Sequence, residues 1–276
     1  MKNILTIDVE DWFQVEALSE TIDSNEWAGF KSRLLPNLLK ILNLLQEKKV
    51  KATFFILGWI AERFPDLVLM IRHQGHEIAS HGYAHRLVYR QDERSFEEDV
   101  AKSKTILEGI TSEQVLGYRA PSFSIIPSCF WAYNVLARLN IRYDSSVFPV
   151  RHLSYGIPDA PRFPFTISVD GGKKIMEFPL STIRICGQNF PVGGGGYLRL
   201  FPYAYTRWSI KSLNRENRRA IVYFHPWEID PYQPKQRIRI SGRIRQYANL
   251  SIMEDRIVRL LNDFDFGSIE EIWEMK

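Results

Sequence analysis

Three acids fall within four consecutive positions near the start of the chain, Asp8, Glu10 and Asp11, directly behind the apolar run Asn3 to Ile7. A desolvated carboxylate is costly unless it is paired, hydrogen-bonded or bound to a metal. Carboxylates this close also repel, so a cation or a shared proton is the natural remedy. A matching set of ligands stands at Ser80-His81-Gly82-Tyr83-Ala84-His85. Imidazoles at i and i+4 on a helical turn project to one side and can bind a single metal. One carboxylate with two imidazoles leaves positions open for water and substrate, as in catalytic rather than structural metal sites. Arg119, in Gly117-Tyr118-Arg119-Ala120-Pro121, is a fixed cation that could hold a carboxylate ionised as a base, or make an ordinary salt bridge. His225 ends the apolar run Ile221 to Phe224 and, beside a carboxylate, could serve as a general acid. Asp144-Ser145-Ser146 follows a short strand, where a turn or cap is the plain reading.

These residues need a scaffold that brings distant segments to one edge. Apolar runs predict strands at Asn3 to Ile7, Lys51 to Leu57, Gly75 to Ser80, Val115 to Tyr118, Ile141 to Tyr143 and Ala220 to Phe224. Helical periodicity predicts helices over Leu34 to Gln46, Trp59 to His73, Ser95 to Glu108, Ser128 to Leu139, Phe201 to Asn214 and Leu250 to Leu261. Such strand–helix alternation marks a parallel sheet, open or closed into a barrel, whose ligand sites lie at strand ends. Between Phe148 and Gly196, prolines and glycines interrupt the pattern, with strands expected at Phe165 to Val169, Lys174 to Phe178 and Thr182 to Ile185. The run Gly193 to Gly196 lacks the Lys-Ser/Thr of a phosphate loop and reads as a flexible turn beside a cleft. Lys235 to Arg245 carries five cations and reads as a solvated basic loop, or as a patch for an anionic glycan or phospholipid head group.

With 276 residues, 45% hydrophobic and 13% aromatic, the chain can bury a large core, which excludes disorder; a net charge of +4 does not single out nucleic acid. One domain over residues 1–276 is expected. Cys129 and Cys186 lack metal-type spacing and read as free thiols of a reducing compartment, a single disulfide being the alternative. There is no leader pattern and no run of about 18 apolar residues, so the expected location is cytoplasmic.

The ordered set Thr6-Ile7-Asp8, His81-x-x-x-His85, Arg119-x-Pro121, Asp144-Ser145 and His225 resembles the polysaccharide deacetylase superfamily, the fourth carbohydrate esterase family. Three further stretches are similar to signatures of the exosortase-associated exopolysaccharide-locus deacetylases: Asp8-Val9-Glu10-Asp11-Trp12-Phe13, Pro191 to Tyr197, and His225-Pro226-Trp227-Glu228. The resemblance implies a distorted (β/α) barrel of about seven parallel strands with extra hairpins, and a family-specific C-terminal part roughly over residues 148–276. It implies metal-dependent removal of acetyl groups from N-acetylhexosamine units of an exopolysaccharide or its lipid-linked precursor. The metal would be zinc, with cobalt, nickel or manganese as alternatives. By that analogy Asp8 is the base, His81 and His85 are metal ligands, His225 is the general acid, Arg119 orients Asp8 and Asp144 supports His225.

One departure matters. Val9 stands where most members have a second acid adjacent to the base, so the third ligand is either Glu10, on the strand face of Asp8, or Asp11, if the chain turns at once. Some relatives acting on small cyclic or linear amides space the acids this way, which keeps that substrate class as an alternative. A non-catalytic glycan-binding relative is a third reading, disfavoured by retention of Asp8, both histidines, Arg119 and His225. Trp12, Phe123, Tyr197 and Trp227 are expected either to stack on sugar faces or to pack in the core. The only partner expected is an N-acetylated glycan, with peripheral membrane contact through Lys235 to Arg245 where the substrate is lipid-linked.

Overall fold

A computed structural model describes residues 1–152 and 155–273. Its strands are β1 (Asn3–Val9), β2 (Thr53–Ile56), β3 (Glu77–Ser80), β4 (Gly117–Tyr118), β5 (Tyr143–Asp144), β6 (Phe165–Ser168), β7 (Lys174–Glu177), β8 (Thr182–Ile185), β9 (Gln188–Pro191), β10 (Ile221–Phe224) and β11 (Phe266–Gly267). The main sheet runs β10-β1-β2-β3-β4-β5-β7-β6, with β11 also paired to β1. All pairings along it are parallel except β6 with β7. This curled, mostly parallel sheet with peripheral helices is the expected barrel type, and β8 with β9 forms a separate antiparallel hairpin.

Period-two alternation sorts each strand into two faces. From β1, Leu5, Ile7 and Val9 face outward onto a helix-covered core with Phe54, Ile56 and Val222. The opposite face holds Ile4, Phe55, Ala79, Tyr143, Ile221 and Tyr223 in an inner cluster. Helix Leu34–Glu47 buries Leu34, Leu38, Ile41, Leu42 and Leu45, one apolar stripe at helical spacing. The helix expected over Trp59 to His73 is two, Gly58–Arg63 and Pro65–His73. Pro65 cannot continue the first helix and is pre-set for the first turn of the second. Lys235 to Arg245, expected as a loop, contributes to a helix, Ile240–Tyr247.

The end of the barrel opposite the acids is plugged by the C-terminal segment. Ile269 N–H donates to Thr53 Oγ1 (2.8 Å), Glu270 N–H donates to Glu77 Oε2 (2.9 Å), and Trp273 packs edge-on against Phe178. Tyr143 Oη also donates to Glu77, whose carboxyl is pushed up by burial against these opposing hydrogen bonds.

His76, just before β3, is 1% exposed and packs on the Phe54 ring. Its Nδ1 accepts from Ala52 N–H, and burial, with Lys51 nearby, lowers its pKa from 6.5 to about 4. Between those values the unfolded chain binds the extra proton, so the neutral ring contributes stability above pH 6.5 that is lost as pH falls through about 4. The loss expected is about 3 kcal/mol. Urea unfolding of wild type and His76→Leu across this range should give a flatter acid slope for the variant; identical slopes would refute the assignment.

Candidate metal and catalytic site

Parallel register carries one inner-facing layer across the strand ends. Ile7 pairs with Phe224, Ile56 with Ser80, Ser80 with Tyr118, and Tyr118 with Asp144. One residue further along each strand, Asp8, His225, His81, Arg119 and Ser145 therefore emerge on the same side.

Arg119, fully buried, is the anchor. Its Nη1 donates to Asp8 Oδ1 and Thr6 Oγ1 (both 2.7 Å), its Nε to the Ser145 carbonyl (3.0 Å) and its Nη2 to Ser145 Oγ (2.8 Å). The guanidinium lies 4.2 Å from the Phe55 ring centroid. A buried cation held at this many points pairs with Asp8 and fixes the orientation of its carboxylate.

Glu10 Oε1 lies 3.1 Å from His81 Nε2 and 3.0 Å from His85 Nε2. His81 Nδ1 sits 2.7 Å from the Arg119 carbonyl oxygen, which can only accept, so Nδ1 carries the hydrogen. In the neutral ring the Nε2 lone pair then faces a carboxylate oxygen, and two buried acceptors in contact need a proton or a cation between them. One ligand atom from each of Glu10, His81 and His85 lies within 4.8 Å of the others, and all three residues are buried. This nitrogen-and-oxygen donor set fits a divalent transition metal. Burial would raise Glu10, yet the histidines His85, His225 and His81 hold it well below the usual carboxylate range.

The two histidines do not share a helical turn. Residues 81–87 form an irregular loop, with Gly82 at φ +75° and His85 at φ +52°. Asp99, on helix Glu93–Thr111, accepts from Tyr83 N–H (2.6 Å) and Ala84 N–H (3.3 Å) and shapes the loop from beneath. A Cβ on Gly82 would stand 2.8 Å from that carboxylate. Asp99 carries no motif of its own and escapes a sequence reading, because its role is visible only once its helix is docked.

His225 Nε2 approaches Asp8 Oδ2 (4.0 Å) and Glu10 Oε1 (3.9 Å). Its Nδ1 meets Glu228 Oε2 (3.0 Å), and Glu228 Oε1 accepts from the buried Arg199 (2.6 Å). Burial alone would lower His225, but Glu10, Glu228 and Asp8 raise it to about 9. His225 also stacks on Trp227.

One expectation is corrected, and one of two open alternatives is set aside by the geometry. Asp144 does not reach His225: it is the outward-facing residue of β5, bonded to Ser146 Oγ (2.6 Å) and set beside the buried Glu177. Glu228 and Arg199 take the place expected of Asp144. The sequence held the signal in His225-Pro226-Trp227-Glu228, where a single turn returns the acid to the ring. Asp11 does not join the histidines either. Its carboxylate accepts from Trp12 N–H (2.8 Å), Ser32 Oγ (2.5 Å) and Arg33 N–H (3.1 Å), tying down the loop that enters helix Leu34–Glu47. β1 ends at Val9; Glu10, the next residue, still falls on the inner face, and the turn from Asp11 to Gln14 swings Asp11 away.

A cleft of about 340 Å³ opens over Asp8, Glu10, His85 and His225. Phe123, Tyr197, Tyr223 and Trp227 add aromatic surface to its wall, whereas Trp12 packs in a buried cluster with Phe13 and Phe30. The glycine run is buried up to Gly195 rather than an open turn. A Cβ on Gly194, at φ +134°, would fall 2.2 Å from the Tyr223 ring, so the backbone lies directly on that side chain. Ser122 and Phe123, both lining the cleft, hold φ of +51° and +54°, backbone strain of the kind that collects at functional sites. Both cysteines are free, Cys129 buried and Cys186 exposed, and no helix among the described residues is long and apolar enough to cross a membrane.

Residues 34–139 match the polysaccharide deacetylase family model, and residues 145–274 match a domain of unknown function, DUF3473. A peptidoglycan-N-acetylglucosamine deacetylase of Bacillus cereus is 39% identical over 84 residues, 30% of this chain and 28% of that protein. A peptidoglycan deacetylase of Helicobacter pylori is 30% identical over 115 residues, 41% of this chain and 36% of that protein. The chain thus matches less than half the length of these relatives. Among solved structures, a Mycobacterium smegmatis protein assigned as a polysaccharide deacetylase superposes with a TM-score of 0.64 at 19% identity, over 99% of this chain and 90% of that one. A family 4 carbohydrate esterase from Streptomyces lividans, in complex with acetate, does so at 0.52 and 13% identity, over 96% and 91%. A Bacillus anthracis family 4 pseudoenzyme shares the fold at 0.50 and 15% identity, over 98% and 65%, so the fold alone does not distinguish an enzyme from an inactive relative.

Proposed function

We propose that this protein, whose residues 34–139 match the polysaccharide deacetylase family model, is a metal-dependent N-deacetylase acting on N-acetylhexosamine units of an exopolysaccharide or its lipid-linked precursor. The observation that carries this reading is the convergence of Glu10, His81 and His85 beneath a cleft in which Asp8 and His225 face one another across 4.0 Å. A pseudoenzyme would have little reason to keep every one of these groups oriented by buried partners.

Glu10, His81 and His85 would hold the metal, and two imidazoles with one carboxylate form a donor set that zinc accepts. When bound, it would polarise the acetyl carbonyl and acidify water in the cleft. Asp8, oriented by Arg119, removes a proton from a water in the cleft as the water oxygen attacks the acetyl carbon. His225, charged and pointing Nε2 into the cleft, donates its proton to the sugar nitrogen as the C–N bond breaks. Acetate and a free amine leave. Glu228 fixes the ring with hydrogen on Nδ1, so that Nε2 is the donating atom. The aromatic walls would take the apolar faces of the sugar.

Glu228 is a positioning residue on this reading. Glu228→Gln should lower kcat by on the order of tenfold to a hundredfold with little change in KM. Its charge is among those that raise His225, so the alkaline limb of the pH–rate profile, where His225 loses its proton, should move to lower pH. A variant with an unmoved alkaline limb would remove Glu228 from this role.

The direct test is acetate release by zinc-loaded protein from N-acetylglucosamine oligomers, assayed beside ring opening of cyclic imides and ureides. The spacing of Asp8 and Glu10 around Val9 favours the second, small-amide reading enough to include it. Turnover of imides without acetate release would establish that reading and end the first.

A further inference from the structure

The chain from Pro231 to Asn249 contains no acidic residue but carries Lys235, Arg237, Arg239, Arg243 and Arg245, all exposed. Within it, Ile240 is 76% exposed and Ile244, one turn on, is 52% exposed. Lys235, Arg237, Arg243, Ile240 and Ile244 line a single shallow depression. Large aliphatic side chains left in water at helical spacing and ringed by cations lie poorly in a solvated loop. They suit the boundary between charged head groups and acyl chains. An acidic polymer would complement the cations and gain nothing from the isoleucines, so the pairing of the two favours a bilayer.

The position of this face ties it to the cleft. Ile244 also lines the catalytic cleft, next to Arg245 and Gln246. Buried Arg199, which supports Glu228, donates to the backbone carbonyls of Arg245 and Ala248, anchoring this helix to the site. A protein resting on this face would hold its cleft mouth at the head-group layer.

We propose that the Lys235-to-Tyr247 face is a docking surface for an anionic membrane, presenting the cleft to a glycan carried on a lipid. The docking stands by itself; delivery of a lipid-linked glycan rests on the deacetylase reading above.

The test is co-sedimentation of the full chain with vesicles of phosphatidylcholine alone or mixed with an equal part of phosphatidylglycerol. Binding to the mixed vesicles should be at least about tenfold tighter and should weaken with added salt. Arg237→Glu/Arg243→Glu and, separately, Ile240→Glu should each weaken it by about tenfold or more, while Ile240→Leu keeps it. These residues are exposed and outside the cleft, so melting temperature and acetate release from a water-soluble N-acetylglucosamine oligomer should not change. Equal partition to both vesicles, or binding indifferent to these substitutions, overturns the proposal. Capture by alginate beads without vesicle binding overturns it in favour of an acidic polymer. Vesicle binding with no acetate release leaves the docking surface standing and removes the deacetylase reading.

Discussion

Replacing Asp8 by asparagine is expected to reduce acetate release on the order of a thousandfold while leaving zinc bound. The substitution preserves size and one oxygen, so Thr6, Ser145 and the amide can still accept from Arg119. On the proposed mechanism, what it removes is the group that accepts the water proton. Arg119, fully buried, also loses its counter-charge, and breaking a buried pair from one side costs about 3 kcal/mol. The variant should therefore melt earlier yet fold. Zinc affinity, read by titration calorimetry, should hold because Asp8 lies outside the Glu10, His81 and His85 set. A variant with wild-type kcat would exclude Asp8 as the base. One that loses zinc along with activity would instead make Asp8 a ligand.

The contrast between Glu10→Gln and Asp11→Asn has the next largest expected effect. Glu10 Oε1 faces both imidazoles, so its amide counterpart should weaken zinc binding by at least about a hundredfold and abolish turnover with it. Asp11 is equally buried, at 2% exposed against 3%, but its oxygens are taken by Trp12, Ser32 and Arg33. Asp11→Asn should keep zinc affinity and activity and cost about 1 kcal/mol of stability, from a weakened loop anchor. Calorimetric zinc titration and urea unfolding of the two variants separate the cases. Normal zinc affinity in Glu10→Gln with loss in Asp11→Asn would reverse the assignment.

The strand–helix alternation and the core were legible because they depend on local periodicity. The apolar run of β1 and the stripe of helix Leu34–Glu47 each read directly from spacing. Asp8, His81, Arg119 and His225 were legible as strand-end residues, because a parallel sheet exposes its chemistry there. What went astray turns on a single residue of register or on a partner far away in the chain. The short strand expected at Ile141 to Tyr143 is instead Tyr143–Asp144, and alternation then turns Asp144 outward, away from His225. The His81–His85 pair could be matched to a ligand set from its spacing, but not to its loop, which depends on Asp99 from another element.

The sequence by itself determined which chemistry the chain can carry: an acid, two imidazoles and a buried cation in an order that local patterning sets at strand ends. Only the tertiary structure decided which carboxylate faces which partner. Glu10 rather than Asp11 faces the histidines, and Glu228 rather than Asp144 holds His225. The physical reason is that a carboxylate's role follows from which donors surround it once buried. Those donors, Ser32 for Asp11, Arg199 for Glu228 and Ser146 for Asp144, are set by packing and register that no short window of residues contains.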